Sequence, residues 1–309
     1  MHPDSTPHPQ PTASAPAPTG GPLVSILTPS FNQAAWLTHN LESVSCQTYG
    51  NIEHIVMDGG STDGSVEILQ AACDAVTWRS EPDRGQSHAI NKAFAASRGE
   101  IIGWVNSDDA YFDCRVVEDV VAHFVANPEV DVVYGHCAQV DEDGRIIWMI
   151  WVPPFARRVL KICNFIGQPV AFIRRAALTD PMLDESFNFS MDYELWLRLD
   201  LASRKFRRID RIVAIDRHQA NRKSVTIAQV MHADIARLAD SHDRGYPPGK
   251  RLLSWGFYTS RRLMGALLIP RIPRSLAFTR VHTSKWALLR RQLSRKKWPD
   301  DYTPESCRA

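Results

Sequence analysis

Two adjacent carboxylates, Asp108 and Asp109, follow the apolar run Glu100–Val105 after Asn106 and Ser107. Side by side behind a buried strand they repel each other and lose hydration, a cost that a cation offsets. A hard divalent ion, Mg2+ or Mn2+, suits such a pair, because it takes few protein carboxylates and completes its shell with oxygens such as those of a diphosphate. The bland alternative is one Asp capping the next helix while the other is solvated. A second polar run, Asp58-Gly59-Gly60-Ser61-Thr62-Asp63-Gly64, offers a carboxylate that can accept hydrogen bonds from a base or ribose. Its glycines let backbone approach a ligand, although the same residues make a turn and a helix cap. A third, Thr28-Pro29-Ser30-Phe31-Asn32, follows another apolar run.

These runs matter because of where the surrounding elements must place them. From Val24 onward, short apolar segments alternate with helical ones, which predicts stacked βαβ units and a mostly parallel sheet. VSILTPS is the first strand and IEHIVMD, ending at Asp58, the second. NQAAWLTHNLESVSCQ is the helix between them, and Thr62 or Asp63 can cap the helix that follows. A third strand is expected near 75 to 80, a helix in QSHAINKAFAAS, and a fourth strand over Glu100–Val105. All three polar runs then lie beyond the carboxyl ends of strands, where open α/β sheets hold their ligands. Farther along, VVEDVVAHFVANP reads as an amphipathic helix, DVVYGHCAQV and RIIWMIWV as a hairpin turning at Asp143-Gly144, and MDYELWLRLDLAS as a helix burying Leu195, Trp196 and Leu199.

A chain of 309 residues, 44% of them hydrophobic, can bury a sizeable core. Residues 1 to 22, rich in Pro, Ala, Ser and Thr, are expected to form a disordered tail. Charge is uneven: residues 250 to 299 hold 13 Lys or Arg and no Asp or Glu. With Trp255, Phe257, Tyr258, Leu263, Leu267 and Trp286 interleaved, this segment fits a helix on an anionic membrane face, or a basic face packed on the domain. No nucleic-acid motif accompanies the charge. The cysteines at 46, 73, 114, 137, 163 and 307 show no CxxC spacing, so neither zinc nor a disulfide framework is expected, and the compartment reads as reducing. Without a stretch of about 18 apolar residues or a signal-peptide layout, the expected location is cytoplasmic, with peripheral contact at the inner membrane face through 250 to 299.

Six blocks in order, VSILTPSFNQ, ESVSCQTY, IEHIVMDGGSTDGS, EPDRGQSHAINKAF, GEIIGWVNSDDAY and FSMDYELWLRL, resemble the family 2 glycosyltransferases of the GT-A fold. The resemblance covers about residues 23 to 225. It implies an α/β nucleotide-binding fold with a nucleotide-binding half at 23 to 112 and an acceptor half at 113 to 225, leaving 226 to 309 as a basic helical extension. It further implies inverting transfer of a sugar from a nucleotide diphosphate, UDP favoured, to a hydroxyl of a glycan or lipid-linked acceptor in cell-surface polysaccharide synthesis, with Mn2+ or Mg2+ as cofactor.

Carried over residue by residue, the resemblance puts Thr28, Pro29, Phe31 and Asp58 at the nucleoside, and Asp83, Arg84, Asn91 and Lys92 in the segment closing over base and ribose. Asp108 becomes the metal-binding acid with Asp109 beside it, and His218 a second metal ligand. Asp192 becomes the general base, a carboxylate able to take the proton of an attacking hydroxyl; a helix-start charge is its ordinary reading. Gln168 and Trp196 fall on the acceptor side, and Arg217, Arg222 and Lys223 surround His218 near the departing diphosphate. Two positions depart from the pattern: Asn106 stands where many members have Asp, and Met191 where the base is preceded by Glu. Those departures motivate an alternative, a non-catalytic nucleotide-sugar-binding subunit. A dinucleotide-binding dehydrogenase is excluded by the lack of GxGxxG after the first strand, and a nucleotidyltransferase by the lack of a Gly-rich basic loop there.

Overall fold

A computed structural model describes residues 20–72, 75–219, 233–234, 237–238, 250–272 and 285–293. Most of the expected tail, together with Cys73, Arg222, Lys223 and Cys307, lies outside the described residues. The first half is built as the alternation of apolar runs and helices requires. Strands β1 (Val24–Ser30), β2 (Ile52–Asp58), β3 (Thr77–Ser80) and β4 (Ile101–Trp104) pair in parallel in the order β3-β2-β1-β4. Helices α1 (Ala34–Ser45), α2 (Ser65–Ala71) and α3 (Gln86–Ala96) connect them. Both faces of β1 are covered, so all seven of its residues are buried. Leu37, Leu41, Val56 and Leu69 pack on one side of the sheet, while Leu27, Ile55, Ala89, Ile90 and Phe94 belong to the main core.

The second half extends the same sheet. After β5 (Ala110–Tyr111) and α4 (Val116–Ala126) come β6 (Val132–Val140), β7 (Ile146–Ile150), the short α5 (Arg157–Leu160), β8 (Ala171–Arg174), α6 (Met191–Leu201) and β9 (Phe206–Arg217). The sheet continues β4-β8-β6-β9-β5, with β7 on β6. Parallel pairing persists between β6 and β9, while β8, β7 and β5 enter antiparallel. The hairpin turn is where it is expected, with Gly144 at φ +77°, a left-handed conformation that glycine adopts without steric cost.

Two helices of the basic extension, α7 (Lys250–Ala266) and α8 (Lys285–Leu293), cover the outer edge of β7. An edge strand leaves amides and carbonyls unpaired, and here Gln292 stands in for a neighbouring strand. Its Oε1 accepts from Met149 N at 3.0 Å and its Nε2 donates to Met149 O at 3.0 Å. Leu268, Ile269, Ile272 and Leu288 join the main core. This part of the extension is therefore packed on the domain. The side chains of Trp255, Tyr258 and Trp286 lie outside the described residues.

One expectation is corrected. Cys46, the C-cap of α1, and Cys114, just past β5, form a disulfide. Cysteine spacing could not show this, because the two residues are 68 apart in sequence and meet only once α1 lies behind β5.

Candidate functional site

The strand ends meet as the topology demands, and the glycine run of β2 forms a shallow platform. Asp58 is fully buried; its Oδ2 accepts from the amides of Gly60 and Ser61 and from Ser80 Oγ, and its Oδ1 from Ser61 Oγ. Asp58 thus organises the loop that a ligand would touch. Thr28 is also fully buried, its hydroxyl 2.9 Å from His54 Nε2. Burial drops the His54 pKa to about 3, so the ring is neutral at physiological pH. Phe31 by contrast stands 59% exposed. A Cβ added to Gly59 would lie 2.9 Å from Asp83 Oδ2 and 3.2 Å from the Phe31 ring. An exposed aromatic face, a side-chain-free floor and a carboxylate wall converge there, a shape and chemistry suited to a flat heterocycle and its ribose.

The segment between β3 and α3 is braced from outside. Arg84 pairs with Glu185 at 2.7 Å and Lys92 with Glu81 at 3.0 Å. Asn91 exchanges hydrogen bonds with the backbone of Leu183. These residues hold the wall beside Asp83 in place. Asp63, expected as a helix cap, serves two helices: Oδ2 accepts from Ala34 N and Oδ1 from Ser65 N.

At the end of β4 the carboxylate pair already has a counter-charge, which spacing alone could not reveal. Arg217 closes β9, is 4% exposed, and stacks 4.5 Å from the Trp36 ring centre. Its guanidinium bonds to the carbonyls of Asp108, Asp141 and Glu142 and to His39 Nδ1, while its backbone amide donates to Asp109 Oδ1 at 3.1 Å. Desolvation lowers its pKa against the opposing pull of Asp109 and Asp108. Arg217 therefore lies within the reach of the acidic pair's charge, its guanidinium spent on buried carbonyls. Asp109 is buried. Asp108 is half-buried, its Oδ2 accepting from Gln219 Nε2 at 2.7 Å. Gln219 also meets Trp36 Nε1 and Gln33 Oε1. His218, beside it in sequence, is half-buried, with its amide on Val140 O.

Asn106 has a physical rationale. Its Oδ1 accepts from Trp104 Nε1 at 3.0 Å and Gln86 Nε2 at 2.7 Å, and its Nδ2 donates toward Asp109 Oδ2 at 3.4 Å. An aspartate there would set a second negative charge against buried Asp109; the amide supplies a donor instead.

Asp192 lies in the first turn of α6, half-buried. Burial raises its pKa to about 6 against three hydrogen bonds that pull the other way, from Asn164 Nδ2 at 2.9 Å, Tyr193 N at 2.7 Å and its own amide. The helix start is held from outside by Asp234, whose Oδ2 accepts from the amides of Phe189 and Ser190. Met191 packs against Ser87 of α3 and is buried. Gln168 donates to the Trp104 carbonyl at the end of β4. Trp196, 1% exposed with its indole on Ile166 O, packs in the core and does not face an acceptor. Sequence reasoning missed Asn164, Gln219, Trp36 and Asp234, all brought in by tertiary contacts across long separations.

The description "Glycosyl transferase family 2" belongs to a family model that matches residues 25–181. A Mycobacterium tuberculosis protein described as an uncharacterised glycosyltransferase is 29% identical over 251 residues, 79% of this chain and 92% of that protein. The chondroitin synthase of Escherichia coli is 30% identical over 183 residues, 58% of this chain and 26% of the synthase. The chain spans only 27% of a Rickettsia bellii glycosyltransferase, to which it is 26% identical over 58% of its own length. Among solved structures, Staphylococcus aureus TarS 1-349 in complex with UDP-GlcNAc superposes with TM-score 0.56 at 18% identity, covering 81% of this chain and 82% of that one. The mannosyltransferase PcManGT of Pyrobaculum calidifontis, in complex with GDP-Man and Mn2+, gives 0.56 at 17% identity over 84% and 76%. The last two likenesses concern the fold, a GT-A-type α/β architecture.

Proposed function

The chain belongs to glycosyl transferase family 2, and on that premise we propose that it transfers a sugar from a nucleotide diphosphate to an acceptor hydroxyl with inversion, Asp192 being the base. The observation that carries this reading is the division of labour among the carboxylates. Asp58 and Asp109 are buried and spent on local structure, whereas Asp192 keeps a pKa raised to about 6 at the start of a helix. A carboxylate so placed is ionised at neutral pH yet basic enough to take a proton as a hydroxyl attacks. Glu194, two residues on, is tied to Arg198 at 3.0 Å.

The platform of Phe31, Gly59 and Asp83 holds the nucleoside, leaving the diphosphate to run toward Asp108. Among the described residues no three acidic, His or Cys side chains cluster as a closed metal cage. Asp108 offers one carboxylate, which fits Mn2+ or Mg2+, since these keep most of their shell for waters and phosphate oxygens; His218 is the second candidate ligand. When bound, such an ion would neutralise charge growing on the leaving diphosphate. Asp192 activates the acceptor from the other side of the sugar, so a single displacement inverts the anomeric carbon. Relatives that include chondroitin and hyaluronan synthases support a glycan or lipid-linked acceptor and polysaccharide synthesis.

The test is proton NMR of the first product formed when α-linked UDP-, dTDP- and GDP-sugars are offered with Mn2+. The account expects one donor to release its diphosphate and yield the β anomer first. An α anomer first would contradict inversion, and no release from any donor would favour a binding subunit.

No described helix is long and apolar enough to cross a membrane. Leu263 on α7, Leu267 in the turn after it and Leu293 on α8 are nevertheless 55%, 62% and 46% exposed, with Arg262 bonded to Leu293 O and Arg290 exposed on α8. We propose that this face rests on an anionic bilayer. Leu263→Ser with Leu267→Ser should reduce sedimentation with phosphatidylserine vesicles severalfold at low salt; equal sedimentation would refute the contact.

A further inference from the structure

Asp192 does not stand alone at the start of α6. Asn164, in the turn between α5 and Gln168, donates through Nδ2 to Asp192 Oδ2 at 2.9 Å. The opposite end of the same carboxamide, Oδ1, is buried and has no hydrogen-bond partner among the described residues. Leaving a buried carbonyl unpaired is unfavourable, and native structures do so rarely. The orientation itself is settled, because turning the amide over would set Oδ1 against the Asp192 carboxylate. The Asn164 amide is therefore directed at the base, and its oxygen is left unsatisfied to make that bond.

We propose that Asn164 is a positioning residue for the transfer reaction, which orients the Asp192 carboxylate and sets the pH at which it becomes active. The inference rests on the reading of Asp192 as the base. An N–H donated to a carboxylate favours the ionised form, in opposition to burial. Of Asp192's two oxygens, Oδ1 takes the Tyr193 amide and Oδ2 takes Asn164, which fixes the plane of the group. The charged groups on the surrounding segments are occupied elsewhere. Asp234 takes the amides of Phe189 and Ser190, Glu194 pairs with Arg198, and Arg157 with Asp200. Asn164 is thus the neutral side chain through which the protein holds its base ionised. No spacing rule singles it out, because it meets Asp192 across 28 residues.

The experiment is the pH dependence of kcat for the full chain and for Asn164→Ala and Asn164→Asp, with Asp192→Asn alongside. Losing a hydrogen bond to a charged group raises its pKa by about one unit. In Asn164→Ala the acidic limb should therefore move up by about one pH unit, with kcat about fivefold lower at pH 6 and close to wild type at pH 8.5. Asn164→Asp, which keeps the shape but sets a second carboxylate there, should move the limb farther in the same direction. An acidic limb unmoved in both folded variants, or a loss equal at every pH, would overturn the proposal while leaving Asp192 as the base. Wild-type turnover in Asp192→Asn would instead overturn the reading of the base itself.

Discussion

Arg217→Met is expected to destabilise the fold by about 3–5 kcal/mol, the cost of leaving several buried carbonyls without their charged donor. The guanidinium is the internal counter-charge of Asp108 and Asp109 and closes off three carbonyls at the end of β4 and in the β6–β7 turn. Met preserves the apolar stem on Trp36, so the loss isolates the charge and its hydrogen bonds. In a domain of this size the effect is a fall in Tm of roughly 10 °C. The attraction that Asp109 and Asp108 exert on Arg217 exists only while those carboxylates are ionised, so the gap to wild type should narrow toward pH 4, where carboxylates take up protons. Calorimetric scans of both proteins between pH 4 and 8 measure it. A gap below 1 kcal/mol at pH 7 would show that the acidic pair needs no internal cation.

That arrangement also marks where reading the sequence stops. The first four strands and three helices were legible because each is a local pattern: apolar runs bounded by glycine or proline, and helices with apolar residues on one face. The α/β fold and the placement of Asp58 and Asp108 at strand ends followed from that alternation. Adjacent carboxylates point to a cation, but they do not reveal Arg217, over 100 residues away at the end of β9, whose charge Asp109 and Asp108 feel in the fold. Strands β5 and β8 are too short, at two and four residues, to show a period, and β9 mixes arginine with apolar residues without a clean one. Trp196 could be read as a core residue or as an acceptor contact, and only packing against Phe206 and Ile166 decides. Asn164, Gln219 and the Cys46–Cys114 bridge are tertiary meetings with no local signature.

The raised pKa of Asp192 makes its removal the larger of the two expected losses in function. Asp192→Asn keeps the shape and a hydrogen-bonding group, but the amide cannot take a proton at neutral pH. Turnover should fall roughly 10²–10⁴-fold, the range for losing general-base catalysis. Stability should move the other way. A carboxyl whose folded pKa lies near 6 favours folding below its unfolded value near 3.8 and loses that contribution as pH rises through 6. The neutral amide does not, so at pH 7.5 the variant should melt above wild type and at pH 4 level with it.

The measurement that bears most directly on the account is single-turnover transfer by Asp192→Asn, beside calorimetric titration of the same variant with the donor's nucleoside diphosphate and Mn2+. The account predicts diphosphate affinity within about threefold of wild type and a transfer rate at least about a hundredfold lower, because the nucleoside and diphosphate sit on Phe31, Gly59, Asp83 and Asp108 while the proton goes to Asp192. Transfer at the wild-type rate would contradict it and move the base to Asp184.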